Sequence, residues 1–133
     1  LGIGLQLIIL FVNAQAKPVK IVFDLTSKDT LTQQTALRHI NLMTEWYPQS
    51  SFELVLYGGA MNMVVKGKST LTKSIEKIAG NPNVSIKVCE YTMKRYGVDK
   101  SQLLPGVGTV PDGILEIVTK QNEGWGYIKE AND

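Results

Sequence analysis

Two periods of apolar residues take turns along this chain. Lys20 to Leu25 (KIVFDL) is a compact β-prone run of the kind that forms a buried strand. Thr26 to Thr30 is rich in helix-capping residues. From Leu31 to Tyr47 the period lengthens. Ala36, Leu37, Ile40, Met43 and Tyr47 share one helical face, Gln34, Arg38, Asn41 and Glu45 fall elsewhere, and Pro48 stops the pattern. Phe52 to Tyr57 predicts a second strand, ended by Gly58-Gly59. A loop or short helix carries Met61, Met63 and Val64, and Ser69 or Thr70 is placed to cap a helix holding Leu71, Ile75 and Ile78. Gly80-Asn81-Pro82-Asn83 reads as a turn. Val84 to Val88 alternates like a strand and leads to Cys89, and Glu90 to Gly97 reads as a short helix closed by glycine. Gly108-Thr109-Val110-Pro111 leaves room for a brief fourth strand. Asp112 caps a helix with Ile114, Leu115, Ile117 and Val118, Gly124 ends it, and Trp125 to Ile128 is the last strand.

Strands that alternate with helices predict an α/β fold, a parallel sheet with helices on both faces. In such folds ligands bind beyond the carboxyl ends of the strands. That topology puts Asp24-Leu25-Thr26, Tyr57-Gly58-Gly59 and Cys89-Glu90 on one functional edge.

The chain has 133 residues, 44% of them hydrophobic, enough for one domain with its own core. A formal net charge of +2, with no run of Lys or Arg among aromatics, leaves no electrostatic footprint for nucleic acid. Leu1 to Val12 carries no charge, and Ala14-Gln15-Ala16 follows it. An apolar stretch before a small-x-small site is the pattern of a secretory signal segment, so residues 1–16 are expected to direct export, to the periplasm, of a single domain spanning 17–133. The other reading is a buried element of the domain itself. The apolar run is shorter than the roughly 20 residues of a spanning helix, so no stable membrane span is expected.

Cys89 is the only cysteine, so it closes no disulfide within its own chain. At a strand-to-helix junction it lies near backbone N–H groups that favour an anion, which makes it a candidate nucleophile. It reads equally as a small buried hydrophobe. Lys87 shares its strand face if the strand is regular that far. Gly58 and Gly59 suit either close approach of a ligand or a tight strand exit. Gly67-Lys68-Ser69 resembles the end of a phosphate loop, but Asn62 stands where that loop needs glycine. His39 falls one step off the apolar helical face, as a rim side chain. One histidine and one cysteine do not make a transition-metal site, and Asp24, Asp29 and Glu116 lack metal-loop spacing. Trp125 and Tyr127 suit core or subunit contacts.

Several segments together resemble the DsrE/DsrF-like family, in its small single-domain branch. They are Val88-Cys89-Glu90-Tyr91-Thr92-Met93-Lys94, Leu103-Leu104-Pro105-Gly106-Val107, Val110-Pro111-Asp112-Gly113 and Gln121 to Lys129, with Leu37 to Leu42 and Val55 to Gly59 in support. Where many relatives carry a histidine before the glycine, this chain has Tyr57. The resemblance implies a three-layer α/β/α sandwich with a mostly parallel five-stranded sheet, assembled as homo-oligomers such as trimers or hexamers. It also implies a sulfur carrier that accepts sulfane sulfur as a persulfide on Cys89, with Gly58, Gly59 and Glu90 around the ligand, no cofactor and no metal. A sulfur donor or acceptor protein would be its partner. Two alternatives stay open: a non-enzymatic oligomeric module that binds a small ligand or a partner, with Cys89 as packing, and a redox sensor working through disulfides between subunits.

Overall fold

The computed structural model describes residues 17–131, together with Gly2 and Gly4. Apart from those two glycines, the expected export segment lies outside the described residues. Five strands, β1 (Lys20–Leu25), β2 (Ser51–Leu56), β3 (Val84–Cys89), β4 (Val107–Val110) and β5 (Gly126–Glu130), form one sheet in the order β4-β3-β2-β1-β5. Every neighbouring pair is parallel. The helices are α1 (Thr30–Trp46), α2 (Thr72–Ala79), α3 (Glu90–Tyr96) and α4 (Gly113–Asn122), and a 3-10 segment runs over Gly58–Val64.

The strand order dictates which helix lies on which face. From β1 to β4 the chain steps steadily toward one edge, and β5 then returns to the far side of β1. Crossovers between parallel strands are right-handed, so steps in one direction keep their helices on one face, and the reversed step sends its helix to the other. The cores follow this rule. Phe23, Leu25, Phe52, Leu54, Leu56, Ile86 and Val88 meet Ala36, Leu37 and Ile40 of α1, Ile75 and Ile78 of α2, Met93 of α3, and Met61, Met63 and Val64. On the opposite face Val22, Val55 and Ile117 form a small cluster under α4, flanked by Tyr57 and Trp125.

Alternation along the strands then assigns Asp24, Glu53, Lys87 and Cys89 to this second, thinly covered face. The sheet therefore has one dry side and one side where polar groups are built in. α4 also differs from its sequence pattern. Of its four large apolar residues only Ile117 is buried, while Ile114, Leu115 and Val118 are exposed. Among the described residues α4 is the one helix on this face; its contact stripe is narrow, and these three residues fall outside it.

Local chemistry sets the ends of the helices. Asp29 caps α1, its Oδ2 accepting from the Thr32 N–H at 3.1 Å. Asp112 caps α4, with Oδ1 accepting from the N–H groups of Ile114 and Leu115 at 2.9 and 3.2 Å. Gly97 closes α3 at a positive φ of 66°, a conformation that favours glycine. The expected cap of α2 is corrected. That helix starts at Thr72 with Leu71 in the cap position and no side-chain cap, because Ser69 Oγ is already used by the Leu71 N–H before the helix begins. The last strand also runs further than its apolar pattern, since pairing with β1 extends to Glu130 opposite Leu25. Replacing Asp112 by alanine is expected to remove about 1 kcal/mol of stability, measured by urea denaturation, because two N–H groups lose their acceptor.

Candidate functional site

β3 passes directly into α3 on the first face, and β4 leads through Asp112 into α4 on the second. The two connections leave adjacent strands in opposite directions. That divergence is the topological switch point of an open α/β sheet, where a crevice forms beyond the strand ends. Cys89 ends β3 there, paired in register with Val110 at the end of β4. The expected common edge is present. Leu25 is level with Leu56 and Leu56 with Val88, so Thr26, Tyr57 and Cys89 follow side by side.

Cys89 is 6% exposed, the only cysteine, and free of any disulfide. It takes the N-cap position of α3 but makes no cap hydrogen bond. Gly113 lies over it. A Cβ at position 113 would come within 3.2 Å of the Cys89 Cβ and 3.3 Å of both Tyr57 Cδ1 and Val55 Cγ1. The first turn of α4 thus packs closely over Cys89 and the Tyr57 ring, and any side chain at position 113 would have to push these neighbours aside by a few tenths of an ångström.

Beside Tyr57 stands a polar network that sequence reasoning did not assemble. Asp24 is buried on β1 and accepts from the Tyr127 hydroxyl at 2.6 Å through Oδ2, while Lys129 Nζ lies 3.4 Å from Oδ1. Lys129 also donates to Thr26 Oγ1 at 3.0 Å and sits 5.8 Å from the centroid of the Tyr57 ring. The Tyr57 phenol is pushed up to about 12, first by burial and then by the charge of Asp24, with Cys89 adding to it. Tyr127 is likewise raised to about 12, chiefly by its hydrogen bond to Asp24. Both phenols therefore remain neutral hydrogen-bond donors at every physiological pH. The signal was present in the sequence as Asp24, Tyr57, Tyr127 and Lys129 near strand ends, but only the position of β5 beside β1 joins them.

The remaining candidates take modest places. The Gly58 N–H donates to Thr92 Oγ1 at 3.2 Å, and φ at Gly58 is +58°. A Cβ on Gly59 would meet Lys28 Cβ and the Thr26 carbonyl oxygen at 3.1 Å, so the close approach at this strand exit is made by the chain's own loop. Glu90 accepts from Thr109 Oγ1 at 2.8 Å and pairs with Lys100 at 3.0 Å. Its carboxyl is held below the ordinary value, first by the Lys100 hydrogen bond and then by Thr109. Lys87 does share the sheet face of Cys89, since β3 is regular through Cys89, and its side chain lies across Gly108. His39 is half exposed, as its place on the helix suggests, yet its Nδ1 lies 2.9 Å from Oε1 of the buried Glu130. Among the described residues no cluster of His, Cys, Asp and Glu is arranged to hold a metal, and no helix is long and apolar enough to cross a membrane.

A sequence profile of the DsrE/DsrF-like family matches residues 20–129, which takes in β1 to β4 entire and β5 as far as Lys129. The chain belongs to the DsrE/DsrF-like family. The fold of this DsrE/DsrF-like chain is similar to that of MTH1491 from Methanobacterium thermoautotrophicum, a protein of unknown function. The TM-score is 0.78 at 25% identity, over 84% of this chain and 98% of the other. It is also similar to the ychN protein of E. coli, with a TM-score of 0.70 at 16% identity over 84% of this chain and 97% of that one. BT1422 of Bacteroides thetaiotaomicron, a conserved protein of unknown function, follows with a TM-score of 0.64 at 17% identity, over 83% and 93% of the two chains. No curated protein matches the sequence. Membership supports a role of the sulfur-relay type at the level of the DsrE/DsrF-like family.

Proposed function

We propose that this chain is a sulfur carrier that accepts sulfane sulfur on Cys89 as a persulfide and passes it to a partner thiol. The observation that carries this reading is the place of Cys89, the lone cysteine, at the end of β3 beside the divergence of α3 and α4. In acceptance, the Cys89 thiolate attacks the outer sulfur of a donor persulfide. A new S–S bond forms to Cys89, the donor's S–S bond breaks, and the donor leaves as a thiolate that takes up a proton. Transfer to the acceptor repeats the exchange with the roles reversed, so oxidation states balance and no organic cofactor enters. The neutral Tyr57 phenol and the Lys129 ammonium are the polar groups nearest this edge in the network described above. The exposed Ile114, Leu115 and Val118 on α4 support assembly into a homo-oligomer, trimer or hexamer. The apolar start of the sequence supports export to the periplasm.

The test is intact mass after treatment with polysulfide. Wild-type protein is expected to gain reducible increments of one sulfur atom, and Cys89→Ser is expected to gain none. Equal loading of both proteins would end the proposal. A second reading, a binding module in which Cys89 only packs, draws on the low exposure of the thiol. It requires a thiol inert to labelling in native protein and reactive only after denaturation.

A further inference from the structure

Glu53 lies at the centre of β2, beneath α4, and is 2% exposed. Its Oε2 is 3.3 Å from Lys120 Nζ, while its Oε1 has no hydrogen-bond partner among the described residues. Lys120 is shared further, 3.9 Å from both Glu116 and Glu123, and its ammonium sits 4.6 Å from the centroid of the Trp125 ring. Three carboxylates therefore compete for one ammonium under a single helix. Across the sheet Glu53 is level with Val22 on β1 and Ser85 on β3, neither of which carries charge. The other charged groups on this face stand one step away along the strands: Lys20 on one side, and Asp24 with Lys129, and Lys87, on the other. Among the described residues no cation other than Lys120 lies within ion-pair distance of Glu53.

We propose that the buried seat of Glu53 beneath α4, with its Oε1 left unpartnered, is a proton-controlled fastening of that helix, and that its state sets how open Cys89 is. Gly113, which packs closely over Cys89, and Lys120 are on the same short helix, about 10 Å apart along its axis. When α4 lifts, Glu53 reaches water and ionises as an ordinary carboxyl, whereas under the seated helix burial and Glu116 hold its proton up to about pH 7. The lifted form is therefore favoured progressively as pH rises from the ordinary carboxyl range to about 7, and no further above it. The consequence for sulfur acceptance, a thiol kept covered in acid and uncovered near neutrality, rests on the sulfur-carrier reading. The fastening itself does not.

The experiment compares the rate at which a pyridyl disulfide labels Cys89 in native wild-type protein and in Glu53→Gln, at each pH from roughly 5 to 8. Dividing one rate by the other removes the thiolate fraction common to both proteins. The ratio is expected to rise about tenfold or more toward neutrality and to level above pH 7. A ratio that stays flat overturns the proposal. Should Glu53→Gln fail to fold, hydrogen exchange of α4 amides in the wild type decides, after correction for intrinsic exchange. Protection that falls toward pH 7 supports the fastening, and constant protection overturns it. A Cys89 that takes up no sulfur while the labelling ratio still rises would end the sulfur reading and leave the fastening standing.

Discussion

Valine in place of Gly113 is expected to destabilise the protein by roughly 2–3 kcal/mol, read as a lowered urea midpoint at unchanged slope. The cause is steric. Position 113 faces Cys89 Cβ, Tyr57 Cδ1 and Val55 Cγ1, all within 3.3 Å of where a Cβ would stand. Two of these belong to strand residues and the third to a ring packed beside Asp24, so none can swing aside as the tip of a flexible chain could. The φ of Gly113 is not in the left-handed region, so the whole effect comes from packing and not from backbone strain. Alanine is expected to cost less than valine, and both variants are expected to expose Cys89, so that labelling in the native state speeds up. A valine variant as stable as wild type would mean that the first turn of α4 does not seat on Cys89.

The second large effect is the pH dependence that Glu53 imposes on stability. Its carboxyl is raised from 4.5 to about 7, first by burial and then by Glu116, with Lys120 opposing. Between those values the folded chain holds a proton that the unfolded chain has released. The stabilisation is thus fully present below the ordinary value, declines as pH rises through this window, and is gone above about pH 7. At 1.36 kcal/mol per unit the loss is at most about 3 kcal/mol. Glu53→Gln, which mimics the protonated acid, is expected to show a stability that is flat across the same window. Glu90 acts in the opposite sense and in another range. Its carboxyl is lowered, so its contribution is present above the ordinary carboxyl value and lost in stronger acid. Denaturant titrations at closely spaced pH values separate the two. A wild-type profile no steeper than that of Glu53→Gln would remove Glu53 as the source.

Several features were legible because their causes are local. The alternation in Val84 to Val88, the 3.6-residue spacing of Ala36, Leu37 and Ile40, the Asp112 cap and the Gly97 stop each depend on neighbours within a turn or two, and each stands where the pattern puts it. Other features were illegible for the opposite reason. Asp24 and Tyr127 are 103 residues apart and meet only because β5 pairs with β1. Glu53 reads as an ordinary polar residue of a strand, and its burial comes from a helix that arrives some sixty residues later, at Gly113–Asn122. The helix carrying Ile114, Leu115 and Val118 has an apolar pattern that suggests burial, yet among the described residues the reversed crossover leaves it without a second helix on its face.

By itself the sequence determined the succession of strands and helices, the edge on which Cys89 lies, and the family of the fold, because periodicity, caps and turns act over a few residues. The tertiary structure alone decided that α4 stands apart from the other helices, that Gly113 closes over the thiol, and that Glu53, Asp24, Tyr57, Tyr127 and Lys129 become one polar face. The physical reason is the handedness of the crossovers. It turns a linear order of elements into two unlike faces, one filled with hydrocarbon and one where charge has to be neutralised by whatever the last helix and strand bring.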